Sequence, residues 1–168
     1  MTLLYPFLLI FPALMAFAAA SDLLTMTIPN RLVLGLVAAF FVVALVAGLP
    51  LEAMGWHVGA GALVLAVTFS MFAAGWIGGG DAKLAAATVL WLGFELTLPY
   101  LVYAGLLGGV LTLSLLAVRR YALPGALMRV TWIERLHDRK TGVPYGIALA
   151  AAALLVYPQS ALFAAFAG

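Results

Sequence analysis

Six apolar runs occupy most of this 168-residue chain and leave only short polar connections between them. They span Leu3–Ala20, Leu32–Leu49, Val58–Ile77, Leu84–Leu98, Tyr100–Val118 and Tyr145–Phe166. A helix needs about 20 apolar residues to cross the hydrocarbon of a bilayer. The pattern therefore predicts an all-α, polytopic membrane protein of about six transmembrane helices, in one domain covering residues 1–168. Composition closes off the soluble alternative: 8% of residues are charged, against about 25% in a soluble domain. The fourth run is the weakest, being short and carrying Glu95, and Pro99 after it reads as a tight turn. In the sixth run Pro158 reads as an early end or a kink.

Charge placement gives an orientation. With six spans, the first, third and fifth connections share a face, and they hold Arg31, Lys83, Arg119, Arg120, Arg129, Arg135, Arg139 and Lys140. Those are all eight basic residues of the chain. The positive-inside rule puts that face in the cytoplasm. An error of one in the span count would scatter the basic residues over both faces. The net charge of +2 reflects this local cluster, and no nucleic-acid partner is implied.

The long fifth connection repeats Leu123, Leu127, Val130, Ile133 and Leu136 at helical spacing, with Arg129, Arg135 and Arg139 between them. It reads as an amphipathic helix on the cytoplasmic surface, started at Pro124 and held to anionic membrane lipid. Gly55 with Gly59, and Gly105 with Gly109, have the spacing of close helix packing. Ala18-Ala19-Ala20 resembles a signal-peptidase site, but no Lys or Arg precedes the first run, which is read as a retained helix.

The residues able to carry chemistry are few. The chain has no cysteine, which removes a thiol nucleophile, disulfides and Cys-based zinc sites. There is no Gly-x-Ser-x-Gly, and His57 and His137 read as solvated. Asp22 and Asp81, 81 − 22 = 59 residues apart, fall in the first and third connections, so at one face and similar depth. A single interfacial Asp reads equally well as a solvated helix end. Two on one face, in a chain with six acids, point to function. Gly78-Gly79-Gly80 remove three side chains just before Asp81, which lets another backbone approach the acid. Two adjacent carboxylates share a proton rather than both ionise, as in the aspartic proteases. One would activate a water and the other would protonate the developing oxyanion, with no metal or cofactor.

These elements, in this order, resemble a known family. Asp22 followed by Ile28-Pro29-Asn30, then Gly78-Gly79-Gly80-Asp81-Ala82-Lys83-Leu84, then Val143-Pro144-Tyr145-Gly146, look like the type IV prepilin peptidases, and the chain is similar to the small members of tight-adherence (Flp) pilus systems. The resemblance implies that Asp22 and Asp81 are the catalytic pair. It also implies a prepilin or pseudopilin substrate, whose basic leader is cut at the cytoplasmic face of the bacterial inner membrane, just before its hydrophobic helix. Gly78, Gly79, Gly80, Lys83, Pro144, Tyr145 and Gly146 would shape the site. Lys83 reads equally as an interfacial lysine, and Pro144-Tyr145-Gly146 equally as the start of the last helix. Larger members carry paired Cys-x-x-Cys motifs linked to N-methylation. Their absence predicts cleavage without methyl transfer. Pro12-Ala13-Leu14 matches a presenilin-type motif, but in the wrong order.

A reading from another class is a multi-span subunit or transporter that uses the acids to bind protons or cations. Such acids usually sit near the bilayer midplane, whereas both fall at predicted span ends here.

Overall fold

The computed structural model describes residues 5–167; the predicted start of the first run at Leu3 lies outside them. The described residues form helices α1 (Tyr5–Thr25), α2 (Asn30–Val46), α3 (Leu51–Ala73), α4 (Gly79–Val118), α5 (Gly125–Met128), α6 (Thr131–His137), α7 (Tyr145–Val156) and α8 (Ala161–Ala167). Three of them, α1, α3 and α4, are long and apolar enough to cross a membrane, and α7 with α8, bent by 55°, makes a fourth if counted as one broken span. Prolines set several of the boundaries: Pro29, Pro50, Pro124 and Pro144 cap the starts of α2, α3, α5 and α7. Pro158 lies in the 3-10 turn Tyr157–Gln159 that separates α7 from α8.

The predicted turn at Pro99 is not there. Pro99 lies inside α4, where it withdraws only the amide that would serve Glu95. The break is six residues earlier, at Gly93, with φ 75° and ψ 179°, a backbone region open in practice only to glycine. A straight helix would carry Gly108 about 40 Å from Asp81. Instead a Cβ at Gly108 would fall on the ring of Tyr145, and Tyr145 lines the same cavity as Asp81. The helix therefore folds back on itself at Gly93.

The first limb of α4 is the centre of the bundle. Its residues from Leu84 to Gly93 are all buried, enclosed by α2, α3 and α7. The run that looked weakest in the sequence is thus the one most shielded by protein. Around it pack Phe11, Met15, Leu36, Phe40, Val156 and Tyr157, and Phe11 lies against Trp91 and Tyr157 at ring-centre distances of 5.1 and 4.6 Å.

Three further expectations are corrected. The amphipathic helix of the fifth connection is two short helices, because Val130 is extended between α5 and α6. Gly55, Gly105 and Gly109 face open space; the close approaches are made by Gly61, against Ala86 and Leu90, and by Gly108, against Tyr145. His57 is buried rather than solvated. Its Nδ1 lies 2.9 Å from the carbonyl oxygen of Leu90, a group left without its helical partner by the break at Gly93. His137 is half-buried in α6.

Candidate active site

Connections one, three and five, the ones that hold the basic residues, meet at one cavity of about 1040 Å³. Its wall takes Met26, Thr27 and Ile28 from the first, Gly75 to Gly78 from the third, and Arg135 with Thr141, Gly142 and Val143 from the fifth. Asp22, Asp81 and Tyr145 open into it.

Asp22 is not in a loop. α1 runs past Ala20 to Thr25, so the carboxylate projects from its last turns and is only 5% exposed. Its Oδ2 accepts a 2.7 Å hydrogen bond from the amide of Gly146. That amide is in the first turn of α7, where N–H groups lack helical partners and negative charge is favoured. Any side chain at Gly146 would displace these neighbours: a Cβ there would lie 2.8 Å from that same oxygen and 2.9 Å from Cδ1 of Ile28. Pro144-Tyr145-Gly146 therefore starts α7, and the same turn puts the Tyr145 ring at the cavity and the Gly146 amide on Asp22.

Asp81 is the third residue of α4, directly after the glycines. Its carboxylate folds back so that a Cβ at Gly78 would stand 2.9 Å from Oδ2. Gly80 lets Ile28 approach, with 3.3 Å between Ile28 Cβ and the place a Gly80 side chain would start. Ile28 thus wedges between Gly80 and Gly146, and this wedge draws the helix starts carrying Asp81 and the Asp22 contact to one point. Lys83 is exposed and donates to Asn30 Oδ1 at 3.1 Å, tying the start of α4 to the start of α2. Tyr145 donates from its hydroxyl to the Ala104 carbonyl at 3.1 Å.

Several contributors were missed in the sequence. Met26 follows α1 with φ 55°, a conformation that costs a non-glycine residue about 1–2 kcal/mol. Hydroxyls secure this turn: Ser21 donates to the Thr27 carbonyl at 2.9 Å, and Thr25 donates to the Ser21 carbonyl at 2.7 Å. Arg135, which reads in the sequence as a lipid anchor, donates to the Leu24 carbonyl at 2.8 Å, one of the free acceptors at the end of α1. Arg119 reads there as a topology charge, yet it is 6% exposed. Its guanidinium donates to the carbonyls of Leu136, Thr141 and Gly142 at 2.7, 3.3 and 2.9 Å. It so ties the end of α4 to the cavity wall. No motif signals either role, since both depend on which backbone carbonyls the fold leaves open.

Two carboxylates facing one cavity, beside a strip of backbone cleared of side chains, suit acid–base attack on a peptide presented in extended form. No curated protein and no solved structure matches the chain. A family model described as the type IV leader peptidase family matches residues 9–113, which include Asp22 and Asp81 and stop before Pro144-Tyr145-Gly146. With more than half of its length so matched, the chain belongs to the type IV leader peptidase family.

Proposed function

We propose that the protein is a membrane-embedded aspartic endopeptidase that removes the basic leader of a type IV, Flp-like prepilin or pseudopilin. The observation that carries the reading is the opening of Asp22 and Asp81 into one cavity beside Gly78-Gly79-Gly80. The ionised member of the pair takes a proton from water, and the resulting hydroxide attacks the scissile carbonyl. The protonated member gives its proton to the developing oxyanion; the carboxyl that took the water's proton then donates it to the leaving amine, and a hydroxyl of the gem-diol returns a proton to the other member as the C–N bond breaks. The Gly146 amide on Asp22 suits Asp22 to the ionised role at the start of the cycle.

Cleavage takes place at the cytoplasmic face of the bacterial inner membrane. Supporting this side are the basic residues at the cavity, Lys83 and Arg135, and Arg119 behind its wall. The fold-back at Gly93 supports six crossing segments, with the fourth and fifth parted at Gly93 instead of Pro99. The transporter reading loses support because Asp22 is three residues from the end of α1 and Asp81 is the third of α4, far from mid-span.

Co-expression with a candidate prepilin tests the proposal. Wild type should remove the leader, while Asp22→Ala and Asp81→Ala should leave it uncut yet remain inserted. Normal processing by either variant would overturn the dyad.

A further inference from the structure

A second depression, of about 580 Å³, runs down the outer face of the bundle between α3 and α4. Its floor is small (Ala62, Ala66, Gly79 and Ala82) and its walls are Leu65, Phe69 and Phe72. Phe69 and Phe72 are exposed, their ring centres 6.0 Å apart. The groove shares Gly79 and Lys83 with the cavity that holds the two aspartates. Phe72 stands at the junction, its Cε2 at 3.1 Å from where a Gly79 side chain would start. From Phe72 to Ala62 is ten residues of continuous helix, so the groove descends about 15 Å from the glycine loop, roughly half the hydrocarbon thickness.

We infer that this groove docks the apolar helix that continues from the scissile bond of the substrate, so that the hydrophobic segment is read inside the bilayer while the cut is made at its rim. The inference rests on the peptidase reading of the aspartate cavity. Shape and continuity carry it. A floor of small residues at helical spacing admits a helix closely, and aromatic walls supply apolar contact area. An acyl chain would fill the apolar part equally well, but has no reason to end at a polar cavity with two carboxylates. A peptide whose bond lies beside Gly78-Gly79-Gly80 must leave the cavity somewhere, and Gly79 and Lys83 line both the cavity and this groove. Trp76, 76% exposed beside the same cavity, adds apolar surface where the segment would turn downward.

The test uses the full-length protein in proteoliposomes with two substrates: a whole candidate prepilin, and a version cut short after the leader that lacks the apolar helix. Ala66→Phe fills the groove floor. It should lower the preference for the whole substrate, read as a ratio of kcat/KM values, on the order of tenfold. Leu34→Phe on the outer face of α2 should leave that ratio at its wild-type value. A photo-crosslinker at Phe69, in an Asp81→Asn background that holds the substrate uncut, should capture the apolar segment of the prepilin. An unchanged ratio in Ala66→Phe, or capture of lipid alone, would overturn the groove and leave the peptidase reading standing. Wild type that cuts neither substrate would sink both.

Discussion

The buried limb of α4 has a glycine-bearing break at each end, and the two ends are used in opposite ways. At Gly93 the break is sealed. The open carbonyl of Leu90 meets His57 Nδ1 at 2.9 Å, Trp91 Nε1 donates to Leu36 at 3.0 Å, and Phe40 lies against the histidine at a ring distance of 5.6 Å. At Gly78–Asp81 the break is open. Its glycines and its carboxylate line a cavity, and the acid of another helix faces into the same space. Both ends place a titratable side chain against a glycine in an apolar chain. What separates them is where the polar atoms face: at Gly93 they close onto the protein's own backbone inside the core, whereas the two carboxylates, although Asp22 also holds the Gly146 amide, face the cavity.

The comparison breaks first at Gly146. Gly146→Ala pushes a methyl against Asp22 Oδ2 and Ile28, both within 3.0 Å of its Cβ. Displacing a reacting group by as little as 1 Å can cost about 100-fold. A fall of that order in the leader-cleavage rate is expected, with unfolding in detergent little changed. At the sealed end the outcome should invert. Gly93→Ala forces φ 75° on alanine and sets its Cβ 3.1 Å from the His57 ring, which costs about 1–3 kcal/mol of stability. Detergent unfolding should shift, while cleavage per folded molecule stays within about threefold, since less than 1 kcal/mol would reach the chemistry. The smallest effect is expected from Lys83→Ala. That side chain is exposed, and its bond to Asn30 is replaceable by water, so cleavage should change by less than about fivefold. Equal losses at Gly146 and Gly93 would erase the distinction between the two ends.

How much of this was legible in the sequence follows from the same contrast. Asp22, Asp81 and the glycines before Asp81 stand out because acids are scarce in so apolar a chain. Alternation of the basic residues grouped the three connections that the fold brings to one cavity. Gly93 carried no such mark. A lone glycine in an apolar run looks like a packing position, and nearby Pro99 is the stronger breaker by residue type. What the run alone does not show is His57, 36 residues earlier, whose Nδ1 meets the Leu90 carbonyl beside the break. The long basic connection was misjudged for a related reason. Its apolar spacing suits one surface helix, but Arg119 and Arg135 draw its backbone against α4 and α1, and Val130 becomes extended between two short helices.

In the proposed mechanism Asp22 and Asp81 act as one unit. The most direct measurement compares leader cleavage of a candidate prepilin by wild type, Asp22→Asn, Asp81→Asn and the double variant, at equal amounts of inserted protein. Groups that share one chemical step are strongly non-additive, so each single variant should lose nearly all activity and the double should lose no more. Substantial cleavage in either single variant, or losses that multiply in the double, would mean that the two aspartates do not share one chemical step.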